Sequence, residues 1–171
     1  RTEPTVDRTW TPLYGERSTV RDHYNAATLF LSKKDGSQYR LNIEVRAYNE
    51  GIAFRYFLPE HPRAIFHKVT ADLTEYTFPN GTMAWSEQWA QAFFERLPVD
   101  ALKQPVERAL TVELPDGKWA ALTDADVDDW CLTKYVSAEG KKNTLSSVMY
   151  SPVDVVTYYA TPWKVIMAAD T

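Results

Sequence analysis

The stretch that most constrains this chain is Gln38 to Leu58, QYRLNIEVRAYNEGIAFRYFL, which spells two alternating strands and the turn between them. Tyr39, Leu41, Ile43, Val45 and Ala47 fall on one face, and Arg40, Asn42, Glu44 and Arg46 on the other. That is the period of two imposed by a half-buried strand. After Asn49-Glu50-Gly51, the series Ile52, Phe54, Tyr56, Leu58 resumes the alternation. Gly51 suits a position that needs φ above zero, and Asn49 tolerates it, so the segment reads as an antiparallel hairpin. One face of its sheet is apolar and needs a cover. Tyr39, Leu41, Ile43, Val45, Phe54 and Tyr56 are expected to be mostly buried.

Strand signals continue on both sides. Arg1 to Arg8 is polar and reads as a frayed terminus, Ala26 to Leu31 as a short apolar strand, and Lys34-Asp35-Gly36-Ser37 as the turn that delivers it into the hairpin. Ala64 to Phe78 reads as two strands with Asp72 near their join. In Ala84 to Leu97 the period changes: Trp85, Trp89, Phe93 and Leu97 recur at four, which predicts a short amphipathic helix. Strand patterns return at Val106 to Leu114, Lys118 to Leu122, Trp130 to Val136, Thr144 to Tyr150, Val153 to Tyr159 and Trp163 to Ala168. About a dozen short strands at fairly regular spacing argue for an all-β fold of two packed antiparallel sheets with one short helix.

Composition excludes several function classes. With 171 residues the chain suits a single domain. The net charge is −4 and Lys and Arg are scattered, so no basic stripe exists to track a phosphate backbone, and nucleic acid is not an expected partner. No run approaches the roughly 20 apolar residues that span a bilayer, so no membrane partner is expected, and the opening RTEPTVDR does not read as a signal peptide. The one cysteine, Cys131, permits neither an internal disulfide nor a cysteine zinc cluster, and reads as a small buried apolar residue.

The acidic run Asp124, Asp126, Asp128, Asp129 carries the clearest chemical signal. At alternate positions of an extended segment three carboxylates face one side, and hard cations want such oxygens. An EF-hand is excluded, since the pattern demands Gly where Asp129 stands and Glu where Tyr135 stands. The alternative is a set of repelling carboxylates on a solvated loop. His23, His61 and His67 lack metal spacing and read as surface or half-buried histidines. No G-x-S-x-G elbow, phosphate-cradling glycine loop or H-E-x-x-H is found.

Four stretches together resemble the N-terminal domain of glycoside hydrolase family 97, the α-glucosidases and α-galactosidases of bacterial glycan-degrading systems. They are WTPLYGERSTVRDHYN from Trp10, VRAYNEGIAFRY from Val45, LTDADVDDW from Leu122 and TPWKVI from Thr161. The resemblance implies a β-super-sandwich similar to galactose-mutarotase-like domains. It also implies a (β/α)8 barrel after residue 171, carrying the general acid and the base or nucleophile, so the chain reads as a fragment without catalytic residues of its own. The family domain usually begins with several more strands. A periplasmic or secreted location is implied as well.

The family motif E-A-x-L-x-D-Y places its glutamate beside a calcium ion shared with the barrel. Carried across, that glutamate becomes Asp124, followed by Ala125, Val127, Asp129 and Trp130. Asp is one methylene shorter, about 1.5 Å, against calcium–oxygen distances held to about 2.3–2.6 Å. Trp130 stands where the family prefers Tyr, and Lys164 where it prefers Arg, a weaker clamp for a carboxylate. The expected site is thus Asp124 for metal, with Trp130 and Lys164 on the substrate side. The expected partners are the barrel and an α-linked oligosaccharide. The alternative is a free-standing carbohydrate-binding sandwich that stacks sugars on exposed Trp85 or Trp89.

Overall fold

The computed structural model describes residues 1–170; Thr171, where the single-domain reading ends, lies outside the described residues. Fifteen strands are found among the described residues. In chain order they are β1 (Val6–Trp10), β2 (Val20–Ser32), β3 (Arg40–Tyr48), β4 (Gly51–Leu58), β5 (Phe66–Val69), β6 (Glu75–Thr77), β7 (Met83–Ser86) and β8 (Glu95–Pro98). They continue with β9 (Leu110–Glu113), β10 (Trp119–Ala125), β11 (Thr133–Ser137), β12 (Thr144–Met149), β13 (Val153–Val156), β14 (Tyr159–Ala160) and β15 (Trp163–Ala169). Among the described residues no helix is long and apolar enough to cross a membrane.

The expected hairpin forms: β3 pairs β4 antiparallel, with Val45 opposite Phe54 and Ile43 opposite Tyr56. It sits inside one long sheet, ordered β1-β2-β3-β4-β15-β10-β9-β7-β8, with β14 on the end of β4. Two smaller sheets, β11-β12-β6 and β13-β5, complete the sandwich, so the second layer comes in two pieces. The core lies where β7, β9 and β10 meet the three-stranded sheet. There Ala84, Leu110, Val112 and Leu122 pack with Tyr135, Leu145 and Tyr76.

The structure corrects several expectations. Residues 84–97 form no helix; they are β7, a loop and β8, paired from Met83 opposite Pro98 to Ser86 opposite Glu95. The spacing of four was misleading because Ala84, beside the aromatics, is the fully buried residue, while Trp85 projects from the other face of the strand and is exposed. The only helical turn among the described residues is a short 3-10 segment, Val99–Ala101. The segment Arg1 to Arg8 is not frayed: β1 zips along β2, and the Thr28 amide donates to Arg1 O at 2.8 Å. The strand expected at Ala26 to Leu31 runs for 13 residues.

Burial along the hairpin also falls short of expectation. Leu41, Ile43, Val45, Phe54 and Tyr56 are half-buried and Tyr39 is exposed, as are Leu29 and Leu31 on the same face of β2. The divided second layer gives this end of the long sheet less cover than the β9–β10 end receives.

Gly51 opens β4 at the crossing between the hairpin and β15. Its φ is +153°, and a Cβ there would stand 2.1 Å from the Ile166 carbonyl oxygen, a backbone atom that cannot step aside. Replacing it with any other residue must therefore push β4 and β15 away from each other. Gly51→Ala is expected to lower the urea midpoint sharply, by a free energy of at least about 2 kcal/mol. Leu122→Ala, which hollows the closed core, should cost about 2–5 kcal/mol, whereas Leu29→Ala on the open end should cost about 1 kcal/mol or less in the same titration.

Candidate functional site

Antiparallel pairing puts Asp124 of β10 directly opposite Lys164 of β15, and Lys164 opposite Phe54 of β4. Directly opposed residues share a face, so both charged side chains project toward the second layer, in line with Leu122, Ile166 and Phe54. Neither can be left bare in such a place, and each has a partner from another segment. The Lys164 ammonium pairs with Asp72, side-chain exposures 5% and 6%. Asp124, whose side chain is 3% exposed, pairs with Arg108 and accepts the Thr133 hydroxyl.

The Asp72 end is held by a chain of hydroxyls. Asp72 accepts the Thr74 amide at 3.0 Å and the Thr74 hydroxyl at 2.6 Å, an Asx turn in the segment between β5 and β6. Since the Thr74 proton goes to Asp72, the Tyr56 hydroxyl donates to Thr74 Oγ1, at 2.8 Å. The Asp124 end is braced by Arg108, whose Nη1 also donates to Thr133 Oγ1 at 3.2 Å. The buried Tyr135 phenol stays protonated, because burial raises its pKa and the Asp124 charge raises it further.

Of these groups Tyr56, Asp72, Asp124 and Lys164 line a cleft of about 370 Å³, within the range of small-molecule sites. Leu41, Leu58, Val69 and Pro162 give it apolar walls, with Asp72, Asp124, Lys164 and Trp130 among them. Trp130 sits on the loop after β10, its ring stacked on Tyr159 with centroids 5.8 Å apart and planes at 16°. Tyr159 fixes that loop by donating its hydroxyl to the carbonyls of Asp128 and Asp129, at 2.9 and 3.2 Å. Burial and the neighbouring carboxylates keep its phenol pKa above normal, so the donor proton is retained.

All three residues singled out from the sequence, Asp124, Trp130 and Lys164, therefore meet in one cleft. The acidic run does not present a one-sided array. β10 ends at Ala125 and Asp126 turns into the left-handed region at φ 58°, which breaks the alternation. Asp124 faces the cleft, while Asp126 stands 3.6 Å from Arg55, whose guanidinium stacks over Trp163. Among the described residues no three His, Cys, Asp or Glu side chains gather as a metal cluster. Asp124 is a single carboxylate flanked by the Arg108 guanidinium.

His61 is buried, beyond the surface or half-buried place expected of it; it stacks on Tyr39 and accepts the Arg63 amide at Nδ1. Cys131 is half-buried. Sequence reasoning did not single out Asp72, Arg108, Thr133 or Tyr159, the residues that orient the other three. No local pattern marks them, because each comes from a separate segment of the chain.

Comparison with known proteins places this geometry. A family model described as glycosyl-hydrolase 97 N-terminal matches residues 1–171. A retaining alpha-galactosidase from Bacteroides thetaiotaomicron is 30% identical over 158 residues, covering 82% of this chain and 22% of that protein. A glycoside hydrolase family 97 enzyme from a Pseudoalteromonas species, solved with acarbose, superposes with a TM-score of 0.92 at 19% identity, over 100% of this chain and 27% of that one. A beta-arabinopyranosidase structure gives 0.86 at 17% identity, over 98% of this chain and 31% of that one. The chain thus spans a fifth to a third of the length of these relatives. With the model matched from end to end on this sandwich, the chain belongs to the N-terminal domain family of glycoside hydrolase family 97.

Proposed function

We propose that this domain forms one wall of the sugar site of a family 97 glycosidase. It docks its Asp124–Trp130–Lys164 cleft against a catalytic (β/α)8 barrel, and the assembled enzyme cleaves α-linked oligosaccharides outside the cytoplasm. The observation that carries this reading is the convergence of those three residues on a single cleft from two strands and a loop. The alpha-galactosidase relative and the acarbose-bound neighbour support an α-glycoside as the substrate class.

Within the cleft each side chain has a distinct task. The Trp130 indole, clamped by Tyr159, offers a flat apolar surface to a sugar ring. Lys164, held in place by Asp72, supplies a fixed positive charge for a ring hydroxyl or a barrel carboxylate. Asp124, oriented by Arg108 and Thr133, would supply one oxygen ligand to a calcium ion shared with the barrel. Calcium bound there would stabilise negative charge developing on the glycosidic oxygen.

This chain supplies no acid–base pair to that reaction. Hydrolysis needs two carboxyl groups flanking the bond, about 5–5.5 Å apart for retention or 6.5–9.5 Å for inversion. The cleft's two carboxylates, Asp72 and Asp124, are both tied into buried ion pairs. By itself the chain should leave p-nitrophenyl α-glucoside and α-galactoside intact; turnover lost on Asp124→Asn would overturn this division of labour. In the enzyme that carries both domain and barrel, Trp130→Ala should lower kcat/KM by roughly tenfold or more. An unchanged kcat/KM would remove Trp130 from the sugar site. Trp130 suits this test better than Lys164, because truncating Lys164 strands the buried Asp72 charge at about 3–5 kcal/mol.

Calcium binding gives a second test. Calcium takes six to eight oxygens, and a site with few charged ligands falls toward millimolar affinity, about 4 kcal/mol of binding. Calorimetric titration of this chain at neutral pH should show no micromolar site. A micromolar constant that disappears in Asp124→Ala would mean that the acidic loop is self-sufficient and not half of a shared site.

A further inference from the structure

The aromatic series Trp85, Trp89, Phe93 plays no role in the Asp124 cleft, yet the structure does not bury it. Trp89 is 58% exposed and Phe93 94%, on the loop between β7 and β8, and Tyr150, just past β12, is 78% exposed. Gln88, Trp89 and Gln104 line two adjoining depressions of about 380 and 410 Å³. Tyr150 and Lys134 complete the first, and Phe93 belongs to the second. Because the three residues are shared, the two form one groove running past the Trp89 ring.

The loop is pinned at its start. Glu107 N donates to Glu87 O at 2.8 Å, and Lys134 Nζ donates to Gln88 O at 3.0 Å while pairing with Glu107 at 2.6 Å. The Ala92 amide then closes a turn on Trp89 O at 2.8 Å. An indole held outward by a braced loop is pre-organised for contact, at little further entropic cost on binding. The Lys134 charge is already committed to Glu107, so this end of the groove does not call for an anion. The open polar groups at this end are the planar amides of the exposed Gln88 and Gln104, which both donate and accept, while Glu87, Glu95 and Lys103 line the Phe93 end. The groove is also distinct from the cleft: Thr133 reaches Asp124 from one face of β11, and Lys134, the next residue, points to the opposite face.

Exposed flat aromatics interleaved with uncharged amides match a ligand that is apolar on its ring faces and hydroxyl-rich at its edges. We propose that this groove is a second carbohydrate-binding site, taking an uncharged α-linked oligosaccharide whose pyranose rings stack on Trp89 and Tyr150 and whose hydroxyls bond to Gln88 and Gln104. The choice of an α-linked sugar rests on the glycosidase reading above. In the complete enzyme the groove would hold one end of a longer sugar chain while the other end occupies the cleft, raising the local substrate concentration without new chemistry.

Saturation-transfer NMR of this chain with maltoheptaose, and separately with the α-galactosyl tetrasaccharide stachyose, tests this. Transfer to ring protons of at least one sugar is expected, with the dissociation constant weakened roughly tenfold or more by Trp89→Ala and by Tyr150→Ala, and unchanged by Tyr14→Ala, an exposed ring that lines neither the groove nor the cleft. Both truncated rings are solvent-exposed, and unchanged urea midpoints would establish that the variants fold; if Trp89→Ala does not fold, Trp89→Leu keeps apolar bulk without a stacking face and should weaken binding likewise. No transfer from either sugar, transfer that survives Trp89→Ala and Tyr150→Ala together, or loss on Trp130→Ala instead would overturn the proposal. So would protection of Trp89 by a docked barrel, which would make this face a domain interface. Failure here leaves the cleft reading standing, since its tests on Trp130 and calcium do not involve Trp89.

Discussion

The pairing of β10 with β15 is the contact on which the rest of this molecule depends. It joins two strands some forty residues apart over seven residue pairs, from Trp119 opposite Ala169 to Ala125 opposite Trp163. On one side β15 reaches the meander β1 to β4, and on the other β10 reaches β9, β7 and β8. Removing this seam leaves two separate sheets. The same seven pairs place Leu122 beside Ile166 in the core and Asp124 beside Lys164 in the cleft. Stability and the site are thus consecutive stretches of one ladder. Gly51 keeps the ladder's neighbour close, since only a residue without a Cβ lets β4 approach the Ile166 carbonyl.

Burying charge where the ladder leaves the core has a consequence for how rigid the site is. Desolvating an ion costs several kcal/mol, and the attraction of a partner returns that only with good geometry and further hydrogen bonds. Lys164 and Asp124 meet that condition through separate partners: Asp72 with its Asx turn and Tyr56 relay, and Arg108 with Thr133. The cleft is lined by Asp72, Asp124 and Lys164, and each carboxylate has a cation beside it, Lys164 for Asp72 and Arg108 for Asp124. Replacing buried ion pairs of this kind by hydrophobic residues of equal volume is often neutral or stabilising.

Cover over the long sheet is uneven, and the site falls at the boundary. Under the three-stranded sheet the core is closed, with Leu110, Val112 and Leu145 at zero exposure. Toward β2 and β3 the second layer thins, and Leu29, Leu31 and Tyr39 reach solvent. Trp130 lies between the two regimes, its orientation set by Tyr159 and the carbonyls of the acidic loop.

What the sequence alone determined was periodicity and the words attached to it. The alternation of Gln38 to Leu58 specified a hairpin, the spacing of short strands specified an all-β sandwich, and the stretches around Asp124, Trp130 and Lys164 pointed to the family and to one site. Local backbone geometry carries those signals. The tertiary structure decided which periodicity to believe: Trp85, Trp89 and Phe93 recur at four, yet pairing with β8 and β9 made the segment a strand and a loop, because ladder hydrogen bonds and the burial of Ala84 outweigh a helical spacing. It also decided the partners. Asp72, Arg108, Thr133 and Tyr159 bear no mark in the sequence, since a carboxylate's counter-ion is found by folding and not by neighbourhood. The division of the acidic run between Asp124 inside and Asp126 outside follows from one left-handed residue at the end of β10, a choice made by the chain's route and not by its composition.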